Sequence, residues 1–116
     1  MAIKILIERR IEPGQEGNLR EAMNGIRPRV TQARGFVSGE TLRSVDDPSF
    51  HLVISAWKSV EDWQTWMNSA ERKAFQEKMA ALLVEPEKIS AYQTDTFVDV
   101  RGGMVATLKE AIGVTD

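Results

Sequence analysis

Apolar side chains recur at every second position through Ile3, Ile5, Ile7 and Ile11, with Arg9 on the same side and Lys4, Glu8, Arg10 and Glu12 on the other. Period two is the repeat of a strand with one dry face. Glu12-Pro13-Gly14 ends it, and Leu19, Met23, Ile26 and Val30 then recur at helical spacing to about Ala33. Pro28 lies inside that helix, lacks an amide donor and crowds the carbonyl four residues back, so a kink is expected near Asn24-Gly25. Gly35 is read as the helix stop. A second strand follows as far as a turn at Asp46-Asp47-Pro48-Ser49, and the β-branched run from His51 to Lys58 is a third, the two forming a hairpin. Ser59 with Asp62 three residues on has the form of a helix cap, and Trp63, Trp66 and Met67 supply the apolar stripe. Asn68-Ser69 interrupts or re-caps the helix before Phe75, Met79, Leu82 and Leu83 carry the stripe to Pro86. A fourth strand is expected from Lys88 to about Val100, and beyond Gly102-Gly103 the residues Met104, Leu108, Ala111 and Ile112 repeat at helical spacing.

Strand, helix, strand, strand, helix, strand is the split unit of the ferredoxin-like fold: an α+β βαββαβ sandwich with a four-stranded antiparallel sheet and helices on one side. The order predicts one domain over residues 1–100 and a helical tail over 101–116. Strand two carries Phe36 and Leu42 on one side and Val37 on the other. Strand three carries Val53 and Trp57 against Leu52, Ile54 and Ala56. A sheet with two apolar faces and one helical layer needs a second cover, most simply another copy of the chain, so a homodimer is expected.

Composition narrows the chemistry. The 116 residues carry 15 Lys+Arg against 17 Asp+Glu, a formal charge of −2, with 42% hydrophobic and 28% charged residues. That is an ordinary globular balance for a single domain. Phosphate recognition concentrates basic residues on one face, so a nucleic-acid partner is not expected, and apolar runs of a few residues predict no membrane span. The absence of cysteine removes disulfides, thiolate nucleophiles and thiolate metal sites, and the single His51 removes paired-histidine motifs. No metal and no cofactor is expected. The start, MAIKILIERRIEPG, alternates rather than showing a basic leader and apolar core, which makes a cytoplasmic location the default expectation.

The stretch GFVSGETLRSVDDPSFHLVISAWKSVEDWQTWMNSAERKAFQEKM with the later strand ISAYQT resembles the antibiotic biosynthesis monooxygenase domain family. The Gly-Phe opening of strand two, the Trp-Lys-Ser exit of strand three and the Trp63/Trp66 helix carry the likeness, over roughly residues 2–98. The resemblance implies a dimeric α+β barrel and cofactor-independent oxidation of a small aromatic quinol or polyphenol by dioxygen. The family also holds haem-degrading members, whose strand Asn, helix Trp and His ligand match Arg9, Trp66 and Gln76 here. An amide is a poor substitute for imidazole at iron. Two alternatives therefore stand beside the monooxygenase: a non-catalytic dimeric module that binds a small hydrophobic molecule, and a haem-binding or haem-degrading protein.

Seven residues are candidates for the site. Arg9, on the dry side of its strand, needs a carboxylate, a polar network or an anionic ligand. Trp66 offers a flat wall and one donor to a planar ring, or packs the core. Gln76 offers an amide to a carbonyl or hydroxyl, or faces solvent. His51 is the easiest general base by its ordinary pKa, or sits at a solvated strand edge. Trp57 and Phe75 are core residues that also reach a ligand if one is present, and Tyr92 presents its phenol to the pocket or to a dimer interface.

Overall fold

Strand β1 (Ile3–Arg10) follows the alternation: Ile3, Ile5, Ile7 and Arg9 are buried, and the residues between them are half-buried. The structure is a computed structural model that describes residues 2–100 and the strand pair Met104–Val105. After β1 come α1 (Glu16–Val30), β2 (Phe36–Arg43), β3 (Phe50–Trp57), α2 (Val60–Met67), α3 (Ala70–Ala80) and β4 (Lys88–Tyr92). The sheet order is β2-β3-β1-β4, and every neighbouring pair is antiparallel. This is the ferredoxin-like sandwich expected from the element order.

The register sets the two faces. Ile3, Ile5, Ile7 and Arg9 stand opposite Trp57, Ser55, Val53 and His51, which places these eight on the helix side. Ile3, Ile5, Ile7 and Trp57 pack with Trp63 and Trp66 of α2, and Ile26 and Val30 of α1 close against them. A second cluster of Ile11, Leu19, Phe75, Met79 and Leu83 ties α1 to α3. Leu6, Leu52 and Ile54 point to the other side and are half-buried. Leu42 and Tyr92 are exposed.

Strand two departs from simple alternation. A bulge between Phe36 and Ser38 adds Val37 to β2, so Phe36 lies opposite Trp57 while Leu42 lies opposite Leu52. The one extra residue thus sends Phe36 to the helix side and Leu42 to the outer side, where unbroken alternation would have kept them together. Phe36 then meets the indole of Trp57 edge-on at 5.4 Å. Gly35 (φ +80) turns the chain into β2, and a Cβ there would collide with the carboxylate of Asp62.

Helix α1 runs unbroken through Asn24-Gly25, with Pro28 in its last turn. The two later helices are separate, as Asn68-Ser69 suggested. Ser59 Oγ accepts from Asp62 N at 3.0 Å and Ser69 Oγ from Arg72 N at 3.2 Å, each capping its helix. The fourth strand is shorter than the apolar content of residues 88–100 suggested. It ends at Tyr92, because the polar run Gln93–Thr96 leaves the sheet, and a two-residue β5 (Phe97–Val98) pairs instead with β6 (Met104–Val105). Met104 is therefore in a strand and does not open a helix. The rest of the 101–116 tail, including Leu108, Ala111 and Ile112, lies outside the described residues.

Candidate functional site

The packing of α1, α2 and α3 on the sheet is incomplete. A cavity of about 490 Å³ remains between them, within the usual range of small-molecule sites. Ile7, Val53, Ser55 and Trp57 of the sheet floor it, Trp63 and Trp66 of α2 wall one side, and Met23, Ile26 and Val30 of α1 the other. Trp57 donates its Nε1–H to Ser55 Oγ at 3.0 Å, which satisfies the buried indole and fixes its plane. Exposed Arg27, Thr31, Glu40 and Thr41 surround the mouth, and buried Arg9, Arg72 and Phe75 form the closed end.

That closed end is charged. Glu87, in the connection after α3, accepts from Arg9 Nε at 2.9 Å through one oxygen and from Arg72 Nη2 at 2.6 Å through the other. The side chains are only 4% (Arg9), 3% (Arg72) and 4% (Glu87) exposed. Backbone bonds from Glu12 N to Leu82 O and from Val84 N to Arg10 O hold this connection beside the end of β1, which brings Glu87 within reach of Arg9. Burial pushes the Glu87 carboxyl up, but the Arg72 and Arg9 guanidiniums outweigh it and hold the group below its ordinary value. Burial lowers the Arg9 pKa, against the opposing pull of Glu87. Both guanidinium carbons lie over the Phe75 ring, at 5.4 Å for Arg9 and 5.3 Å for Arg72.

Of the seven candidate residues, Arg9, Trp57, Trp66 and Phe75 line this cavity. Gln76 does not: it follows Phe75 on α3 and is exposed. Tyr92 stands opposite Lys4 on the outer side of the sheet, and is 54% exposed. His51 shares the sheet face of Arg9 but lies at the end of β3 outside the cavity. Burial first, then Arg43 and Arg9, lower its pKa, so the imidazole is neutral at pH 7. Haem fits these residues poorly: the position matching its usual ligand is exposed Gln76, and the described lining contains no histidine.

Sequence reasoning missed Arg72 and Glu87. Arg72 carried a usable signal, since it falls on the apolar stripe of α3 with Phe75 and Met79, as Arg9 falls on the dry side of β1. Glu87 carried none, because it sits in an aperiodic connection after Pro86.

The sequence model described as antibiotic biosynthesis monooxygenase matches residues 2–78. A 42.8 kDa protein in the whiE locus of Streptomyces coelicolor is 28% identical over 69 residues, which are 60% of this chain but only 17% of that protein. Among solved structures, Rv0793 from Mycobacterium tuberculosis has a TM-score of 0.74 at 12% identity, over 86% of this chain and 99% of that one. SnoaB, a cofactor-independent oxygenase from Streptomyces nogalater, has a TM-score of 0.75 at 10% identity, over 84% and 96% of the two chains. At such identities the structures speak for the shared fold. The family match itself spans β1 to near the end of α3, with Arg9, all five aromatic residues of the cavity lining and Arg72 inside it, and on that match the chain belongs to the antibiotic biosynthesis monooxygenase family.

Proposed function

We propose that the protein oxidises a small electron-rich quinol or polyphenol with dioxygen and without a cofactor. The observation that carries this reading is the cavity itself: an apolar, indole-walled space of about 490 Å³ with two guanidiniums at its closed end. Indole faces hold a planar ring. A phenol ionises near pH 10 in water, and a neighbouring cation in a dry site lowers that value by favouring the anion. Arg9 and Arg72 are the groups in position to do so.

The phenolate gives one electron to dioxygen, and the resulting radical and superoxide combine to a peroxide. Loss of water from the peroxide leaves a carbonyl. One oxygen atom enters the product and the other leaves as water, so the phenol C–H becomes C=O with every electron drawn from the substrate. The apolar walls keep bulk water from the radical pair. SnoaB, a cofactor-independent oxygenase of the same fold, supports this class of chemistry as the reading for the present chain.

The test is oxygen uptake with a panel of quinols and polyphenols, repeated with isotopically labelled dioxygen. Turnover that places one labelled atom in the product and one in water is expected. Binding of the same compounds with no oxygen consumption would overturn the oxygenase and favour a binding module. One feature favours that second reading: Glu40, the carboxylate among the described lining residues, stands at the mouth, and the buried Glu87 behind the closed end is occupied by both arginines.

A further inference from the structure

We infer that the closed end of the cavity is a carboxylate subsite, and that the substrate is a hydroxyaryl carboxylic acid whose acid group is held by Arg72 and Arg9. This rests on the reading of the cavity as an aromatic-substrate site, and it names the substrate class for that site.

The buried groups at the closed end do not balance. Arg9 and Arg72 bring two positive charges and Glu87 one negative, with each carboxylate oxygen already bonded to one guanidinium. Arg72 Nη1 is buried with no hydrogen-bond partner. Arg9 Nη1 has only the thioether of Met23, at 3.3 Å, and thioether sulfur is a weak acceptor. The Phe75 face spreads some of the charge but offers no lone pair. Both arginines line the cavity, so the unused donors and the surplus charge belong to the residues of its closed end. Water would satisfy the donors without neutralising the charge.

What the site lacks is therefore an anion, and its charge says which kind. A surplus of one positive charge matches a monoanion, whereas a phosphate monoester would leave the closed end negative. A carboxylate is already ionised in water at neutral pH, and its two oxygens suit guanidinium donors. A phenol would have to lose its proton first. With the acid anchored at the arginines, a ring hydroxyl next to the acid group shares the same guanidiniums, which keeps their role toward the phenolate, and the ring extends between the Trp57, Trp63 and Trp66 indoles.

The experiment is calorimetric titration of the protein with a matched pair, hydroxynaphthoic acid and its carboxamide, which differ in charge and little in shape. The acid is expected to bind about tenfold tighter or more. In Arg72→Met the advantage of the acid over the carboxamide falls to within about twofold. That variant leaves Arg9 and Glu87 as a neutral pair, and a melting curve verifies its fold; the comparison on the unmodified protein stands without it. Equal affinities, a preference that survives in Arg72→Met, or no binding of either compound overturns the inference. Oxygen uptake is read separately. Preferential acid binding without uptake retires the oxygenase and keeps the subsite, and uptake with neutral phenols alone does the reverse.

Discussion

Glu87 is the anion on which two buried cations depend, and its replacement is the most informative single change for stability. Glu87→Gln keeps the shape and removes the charge, leaving Arg9 and Arg72 uncompensated, and breaking a buried ionic cluster in this way costs about 3–5 kcal/mol. Urea unfolding measures it, and a loss below about 1 kcal/mol would refute the assignment. The pH dependence has a defined sign. Because the folded carboxyl titrates below its ordinary value, its contribution is complete above the usual glutamate range, roughly pH 4–5. It is lost as pH falls through the depressed folded value. Glu87→Gln should flatten that part of the acid slope. At this scale, period two made Arg9 legible because a charge on a dry face is conspicuous in the sequence. Arg72 carried the same kind of signal on the α3 stripe but was missed. Glu87 was not legible, since its role comes from backbone bonds between residues 10–12 and 82–84 that no local pattern encodes.

The junction of α2 and α3 joins helix capping to the site. Ser69 Oγ donates to Trp66 O at 2.6 Å while accepting from Arg72 N at 3.2 Å, so one hydroxyl ties together the backbone of two residues whose side chains line the cavity. Ser69→Ala should cost about 1 kcal/mol as a lost cap. It should also weaken ring binding several-fold where an ordinary cap would leave ligand affinity unchanged; melting and calorimetry separate the two effects. The cap was readable from Asn68-Ser69, as Ser59 was from its spacing to Asp62. The bulge at Val37 and the early end of β4 were not. A bulge inserts one residue without a compositional mark, and the apolar residues Phe97 and Val98 fit a long strand as well as the short β5–β6 pairing that they adopt.

For the whole molecule, the order of elements was enough to give the fold, because few topologies satisfy strand–helix–strand–strand–helix–strand with short connections. Assembly belongs to the same scale. Leu6, Leu42, Leu52, Ile54 and Tyr92 lie on the sheet side that no described helix covers, and an apolar face of this kind is the natural seat of a second copy. Sedimentation should give the mass of two chains, and Ile54→Lys, which puts a charge in the middle of that face, should give one. A single-chain mass for the unmodified protein would remove the dimer. The strand order has one more consequence, for the order of events during synthesis. The central strand β1 leaves the ribosome before both of its neighbours, β3 and β4. Arg9 then waits 78 residues for its counter-ion. A nascent chain halted before Glu87 thus carries an open sheet edge and two unneutralised arginines, and it should remain an easy target for proteases and a client for chaperones until β4 docks.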